Sequence, residues 1–129
     1  MFNFSLEAYE NKKISLENFS IHQYEVTIFE FQKYSETNNI ITEAEKTGGG
    51  YEWGAGWVKR KGWNYKTPYG KKPDSIYEPA VHISRFEAEA YCKSIEGRLL
   101  HYKFVLLRHQ ILRQVFQVLE LRFLYLVLH

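Results

Sequence analysis

Cysteine is nearly absent: Cys92 is the single one in 129 residues. One thiol cannot close an internal disulfide or furnish a cysteine zinc site, so the chain relies on neither. Long apolar runs are missing too. The uninterrupted stretch Phe123–Leu128 falls far short of the ~20 residues a membrane crossing needs, and no membrane span is expected. The opening Met1-Phe2-Asn3-Phe4-Ser5 has no basic region leading into an apolar run, so no secretory signal is read and the default expectation is the cytoplasm. A strong excess of one charge is lacking as well. Residues 1–98 hold ten lysines and three arginines against fourteen acids, a net of −1, while residues 99–129 carry a net of +3. The mild basicity belongs to the tail, which argues against a nucleic-acid face on the body.

What is present is an aromatic chain of one-domain length, 45% hydrophobic and 17% aromatic. Phe2, Phe4 and Leu6 alternate with polar residues, as a half-buried strand does, and Phe19–Tyr24 alternates again. Thr27-Ile28-Phe29-Glu30 has the spacing of a capping box. It predicts a helix at 27–37, with Phe31, Tyr34 and Phe29 turned to the core and Asn38-Asn39 as the stop. Residues 40–77 read as aromatic, glycine-rich loops fixed by tertiary packing. Thr47-Gly48-Gly49-Gly50 lacks the Gly-Lys-Ser/Thr ending of a phosphate-binding loop and is taken as structural. Trp53, Trp57, Trp63 and Tyr65 are the candidate ligand-binding aromatics, near Lys59, Arg60, Lys61 and Lys66. The plainer reading of the same residues is loop packing beside solvated lysines.

Next comes Pro79-Ala80-Val81-His82-Ile83, expected as a short strand, with His82 a hydrogen-bonded structural histidine on its opposite face. Ser84-Arg85-Phe86-Glu87 is a second capping box. The helix after it is expected to bury Phe86, Ala90, Tyr91 and Ile95 and to end at Gly97 in a left-handed conformation. Cys92 reads as a small buried thiol rather than a nucleophile. No carboxylate pair, Ser-His-Asp order or Cys-His nucleophile can be placed.

Several of these residues are similar to one family in order and spacing. Tyr24-Glu25-Val26-Thr27 with Phe31 and Tyr34 is the first group, and Thr42-Glu43-Ala44-Glu45 before the glycines is the second. Trp63 with Pro68 and Gly70 follows. The last group is Glu78-Pro79-Ala80-Val81-His82-Ile83-Ser84 with Ala88, Ala90, Tyr91 and Cys92, closed by Gly97-Arg98-Leu99. Together they resemble the formylglycine-generating enzyme, or sulfatase-modifying factor, family over about residues 19–99. The resemblance implies an α+β, C-type-lectin-like fold with little regular structure and many aromatic loops, incomplete here because less than half of the usual family domain is covered. It implies oxidoreductase relatives that use copper to convert a sulfatase cysteine to formylglycine, iron-dependent sulfoxide synthases, and non-catalytic or ligand-binding members. The oxidases use a cysteine pair in the C-terminal part of the domain, where calcium sites also lie. Nothing here aligns with that pair, so no catalytic, cofactor or metal residue is assigned, and no cofactor is expected in this chain.

After Leu99 residue usage changes. Ten of the twelve leucines lie at 99–129, a stretch without Gly, Pro, Ala, Ser, Thr, Asn or Asp. The chain therefore divides into residues 1–99, the N-terminal part of a family-like domain, and a Leu-rich tail at 100–129 of the kind a frameshift or divergent splice produces. The alternative is a genuine amphipathic helix through Phe104, Leu107, Ile111, Val115 and Val118, which would drive self-association or pair with another chain. Three readings follow: a truncated, inactive member of the family, a non-catalytic module that binds a peptide, protein or sugar through aromatic loops, or a poorly folded remnant with no activity.

Overall fold

The structure, a computed structural model, describes residues 13–15, 18–99 and 126–128. It is mixed α and β, with short helices and two small antiparallel sheets. Strands β1 (Lys13–Ser15) and β2 (Ser20–His22) open it, followed by α1 (Ile28–Thr37) and α2 (Glu43–Lys46). Then come β3 (Gly49–Trp53), β4 (Trp57–Lys61), α3 (Arg85–Ser94), β5 (Gly97–Leu99) and β6 (Leu126–Leu128). One sheet has the order β1-β2-β6-β5, and β3 and β4 make the other. The strand expected at Phe2–Leu6 and the helix expected at 104–118 lie outside the described residues. The described piece of the tail, β6, is a strand that pairs with both β2 and β5.

Each helix begins at a complete capping box. Thr27 Oγ1 accepts from the Glu30 amide at 3.2 Å while Glu30 accepts from the Thr27 amide at 2.8 Å, and Ser84 with Glu87 repeats the arrangement. A third box, Thr42 with Glu45, starts α2 inside the region read as loop. Asn39 and Glu96 take left-handed φ of 53° and 58° after α1 and α3. Glu96, rather than Gly97, is therefore the left-handed residue, and Gly97 opens β5.

The core gathers Ile28 and Phe31 of α1, Tyr91 and Cys92 of α3, Ala80 and the loop residue Tyr65. Ile28, Phe31 and Ser35 recur at helical spacing along the buried side of α1, and Ala88, Tyr91 and Cys92 do so on α3. Three expected core residues are not in it. Phe29 is exposed and packs against Tyr77 at 6.0 Å between ring centroids, Phe86 is 82% exposed, and Ala90, one turn on from Phe86, is exposed too. On α3 the Tyr91 face wins because Tyr91 meets Tyr34 edge-on at 5.2 Å and Phe31 at 5.8 Å.

The strand expected at 80–83 is also absent. The segment makes one bridge, Thr27 with Pro79, and Ala80 donates to Val26 O at 2.8 Å. His82 then takes φ 58°, which ends the extended path. Just before it, Glu78 O and Ile76 O accept from the Ile28 and Phe29 amides, satisfying the first donors of α1.

Candidate functional site

The aromatic segment 49–70 divides into a buried anchor and an exposed hairpin. In the anchor, Tyr65 is 0% exposed, T-shaped on Phe31 at 4.9 Å, with its hydroxyl 2.6 Å from Ser35 Oγ. It is a core residue, and its place among the ligand-binding aromatics is corrected: a ligand has no access to it. Trp63 is half-buried between Tyr69 and His82, at centroid distances of 5.4 and 5.6 Å. His82 Nε2 lies 2.8 Å from Pro68 O, which fits a structural histidine. A Cβ on Gly50 would overlap the His82 ring, so that glycine is where β3 passes His82. The Gly48–Gly50 run thus has a packing reason and no phosphate is needed to explain it.

The hairpin is the open part. Its register pairs Tyr51 with Lys59 and Trp53 with Trp57. Alternation along each strand then puts Tyr51, Trp53, Trp57, Lys59 and Lys61 on one face and Glu52, Val58 and Arg60 on the other. Trp53 and Trp57 meet edge-on at 5.2 Å yet stay 65% and 70% exposed. Lys59 Nζ sits 6.0 Å over the Tyr51 ring and donates to Thr47 O at 2.8 Å. On the far face Arg60 Nε bonds Glu52 Oε2 at 2.8 Å. The structure therefore brings Trp53 and Trp57 together on a surface with Tyr51, which the sequence reading did not single out, and separates them from Trp63 and Tyr65. Nothing in a single sequence marked Tyr51 beyond its two-residue spacing from Trp53.

Below the hairpin, Lys66 Nζ bonds Glu45 Oε1 at 2.8 Å. Burial alone pushes the Glu45 carboxyl up, but hydrogen bonds from Lys66 and Thr42 outweigh it and hold it below the usual range. Glu87 joins two helix starts: its carboxylate accepts from the Ser84 amide at 2.8 Å and from the Glu43 amide of α2 at 2.7 Å.

Among the described residues, burial shifts the titratable groups of the interior. Cys92 is 2% exposed, and burial pushes its thiol up to about 11. Burial also raises Tyr91, and it lowers His22, whose Nδ1 has no hydrogen-bond partner among the described residues. Among those residues no three His, Cys, Asp or Glu side chains cluster as metal ligands, and no helix is long and apolar enough to cross a membrane. Copper(I) asks for soft sulfur donors, and a lone thiol packed among Ile28, Phe31 and Tyr91 does not fit it.

The geometry defines a capped-helix, aromatic-core domain of α+β type with an exposed aromatic hairpin. The family model for the sulfatase-modifying factor enzyme 1-like domain matches residues 3–103, and the chain belongs to that family. It is similar to the formylglycine-generating enzyme of Bos taurus, 28% identical over 111 residues that cover 68% of this chain and 29% of the relative. The formylglycine-generating enzyme of Mus musculus is 25% identical over 109 residues, with the same coverage of 68% and 29%. The chain thus spans under a third of the length of these curated relatives.

Proposed function

We propose that this chain carries part of the core of a sulfatase-modifying-factor domain, on a lectin-like scaffold, without the oxidase chemistry of the formylglycine-forming branch. The observation behind this reading is Cys92. It is the chain's single cysteine, it is 2% exposed, and its thiol is held near 11, so at ordinary pH it is a protonated core residue. A cysteine pair able to hold copper(I), as in the oxidases the sequence resembles, has no counterpart. The test is to incubate the full chain with copper, oxygen and a cysteine-containing sulfatase peptide, and to probe for a hydrazide-reactive aldehyde. None is expected above the protein-free control; an aldehyde that grows with protein concentration refutes the reading.

A second reading is favoured by the hairpin: a non-catalytic module that binds through Trp53, Trp57 and Tyr51. Large aromatics left in solvent on one face of a sheet are costly unless something covers them. Tryptophan fluorescence titrated against neutral sugars and peptides tests it; a spectrum unmoved by every ligand goes against it.

The tail from 100 to 129 we read as a frameshifted or alternatively spliced product, since the family match stops at residue 103, close to where residue usage changes. Sequencing the genomic DNA decides this. A continuation Pro-Thr-x-x-Glu-Trp in another frame supports it, and open coding for the tail alone sinks it.

A further inference from the structure

We propose that the outer edge of β4 binds an acidic peptide in extended form, as an added third strand of the β3–β4 sheet. This rests on the binding-module reading and names the chemistry of its ligand. The first observation is an open edge. The bonds from Gly62 N to Gly48 O and from Gly54 N to Gly56 O have the same register as the strand pairs. Hydrogen-bonded pairs alternate along an antiparallel ladder, so Val58 and Arg60 bond to β3, while Trp57, Lys59 and Lys61 turn their N–H and C=O outward. Those groups have no backbone partner among the described residues, and every residue of β4 is exposed.

The second observation is charge. Residues 46–72 hold seven cations and one acid, whereas 25–45 holds five acids and one cation. The net of −1 over residues 1–98 hides it, because acid-rich stretches on either side offset the basic one. Glu52 pairs with Arg60 and Glu45 with Lys66, which leaves Lys59 and Lys61 without an acidic partner among the described residues. Both stand on the Trp53–Trp57 face, at alternate positions of the open edge.

Lysines on an edge strand repel a second copy of the same strand. A β4-to-β4 pairing would set lysine against lysine, so a second copy of this chain is the wrong occupant. A strand with glutamates at alternate positions meets Lys59 and Lys61 directly across the ladder. An apolar side chain beyond them reaches the Trp57 ring. The outward edge offers carbonyl acceptors as well as amide donors, which matches a peptide main chain; a phosphate backbone uses only donors. That favours peptide over RNA.

The experiment uses the full chain and a fluorescein-labelled, strand-length peptide alternating threonine with glutamate and ending in valine. Anisotropy should show saturable binding. A lysine-for-glutamate version of the peptide, and a version N-methylated at alternate amides, should each bind at least roughly tenfold more weakly, and so should the protein carrying Lys59→Glu with Lys61→Glu. Amide hydrogen exchange at Trp57, Lys59 and Lys61 should slow on binding. Equal affinity for the N-methylated peptide overturns strand addition, as does tighter binding of an oligouridylate of equal charge. If the acidic peptide does not bind while a neutral sugar or peptide shifts tryptophan fluorescence, this proposal falls and the binding-module reading stands. If nothing shifts, both fall.

Discussion

Phe31 with Tyr65, and Trp53 with Trp57, are edge-on aromatic pairs of nearly the same geometry, at centroid separations of 4.9 and 5.2 Å. The first pair is sealed in the core and the second stands in solvent. What separates them is the number of layers. Phe31 projects from a helix onto which α3 and the loop at Tyr65 pack, so its ring is removed from water on every side. Trp53 and Trp57 project from a two-stranded sheet whose Trp face nothing among the described residues covers. An aromatic pair is worth about 0.5–1.5 kcal/mol beyond its buried area, so without a second layer most of the possible gain is absent. Aromatic content alone does not make a core.

Substitutions can break this contrast. Phe31→Ala should lower unfolding free energy by about 3–5 kcal/mol in a denaturant titration, because it opens a cavity between α1, α3 and Tyr65. A loss below 1 kcal/mol would show that these elements do not pack as one core. Tyr65→Phe keeps the ring and removes the hydroxyl 2.6 Å from Ser35, for a loss of about 1–2 kcal/mol by the same titration. Ser84→Ala removes the acceptor of the Glu87 amide and should cost about 1 kcal/mol, with thermal melts as the readout. Trp57→Ala should change stability by no more than about 0.5 kcal/mol, the usual range for an exposed position. A larger loss would mean that the hairpin is itself part of the folding unit.

Titration sharpens the comparison without mutation. The folded thiol of Cys92 is raised from 9.0 to about 11, so its contribution to stability is complete below pH 9.0 and fades as pH rises toward 11. His22 is lowered from 6.5, so its contribution is complete above that value and is lost as pH falls through the folded pKa. The hairpin has no comparable buried group. Denaturation midpoints measured across pH should therefore follow the body and stay the same in the Trp57→Ala protein.

Local chemistry was the legible part of the sequence. The boxes at Thr27–Glu30 and Ser84–Glu87 are four-residue patterns, readable without the rest of the chain. The equivalent Thr42–Glu45 box is harder to read, because α2 has no buried residue and so no apolar periodicity beside the box. Orientation was less legible. On α3, spacing alone allowed either Phe86 with Ala90 or Ala88 with Tyr91 and Cys92 to face inward, and the choice depends on Tyr34 from another helix. The burial of Tyr65 is illegible for the same kind of reason: its partner Ser35 is thirty positions away. In the candidate site, the sequence leaves Trp53 and Trp57 open between ligand binding and loop packing, and the bare edge of β4 depends on register, which composition does not encode.

The placement of β6 between β2 and β5 has a consequence for synthesis. β2 and β5 bond to β6 and not to each other, so a chain made from its N-terminus cannot close this sheet until Leu126–Leu128 has been added. The sheet is thus the last of the described elements to be completed, after the helices and the β3–β4 hairpin have all their residues.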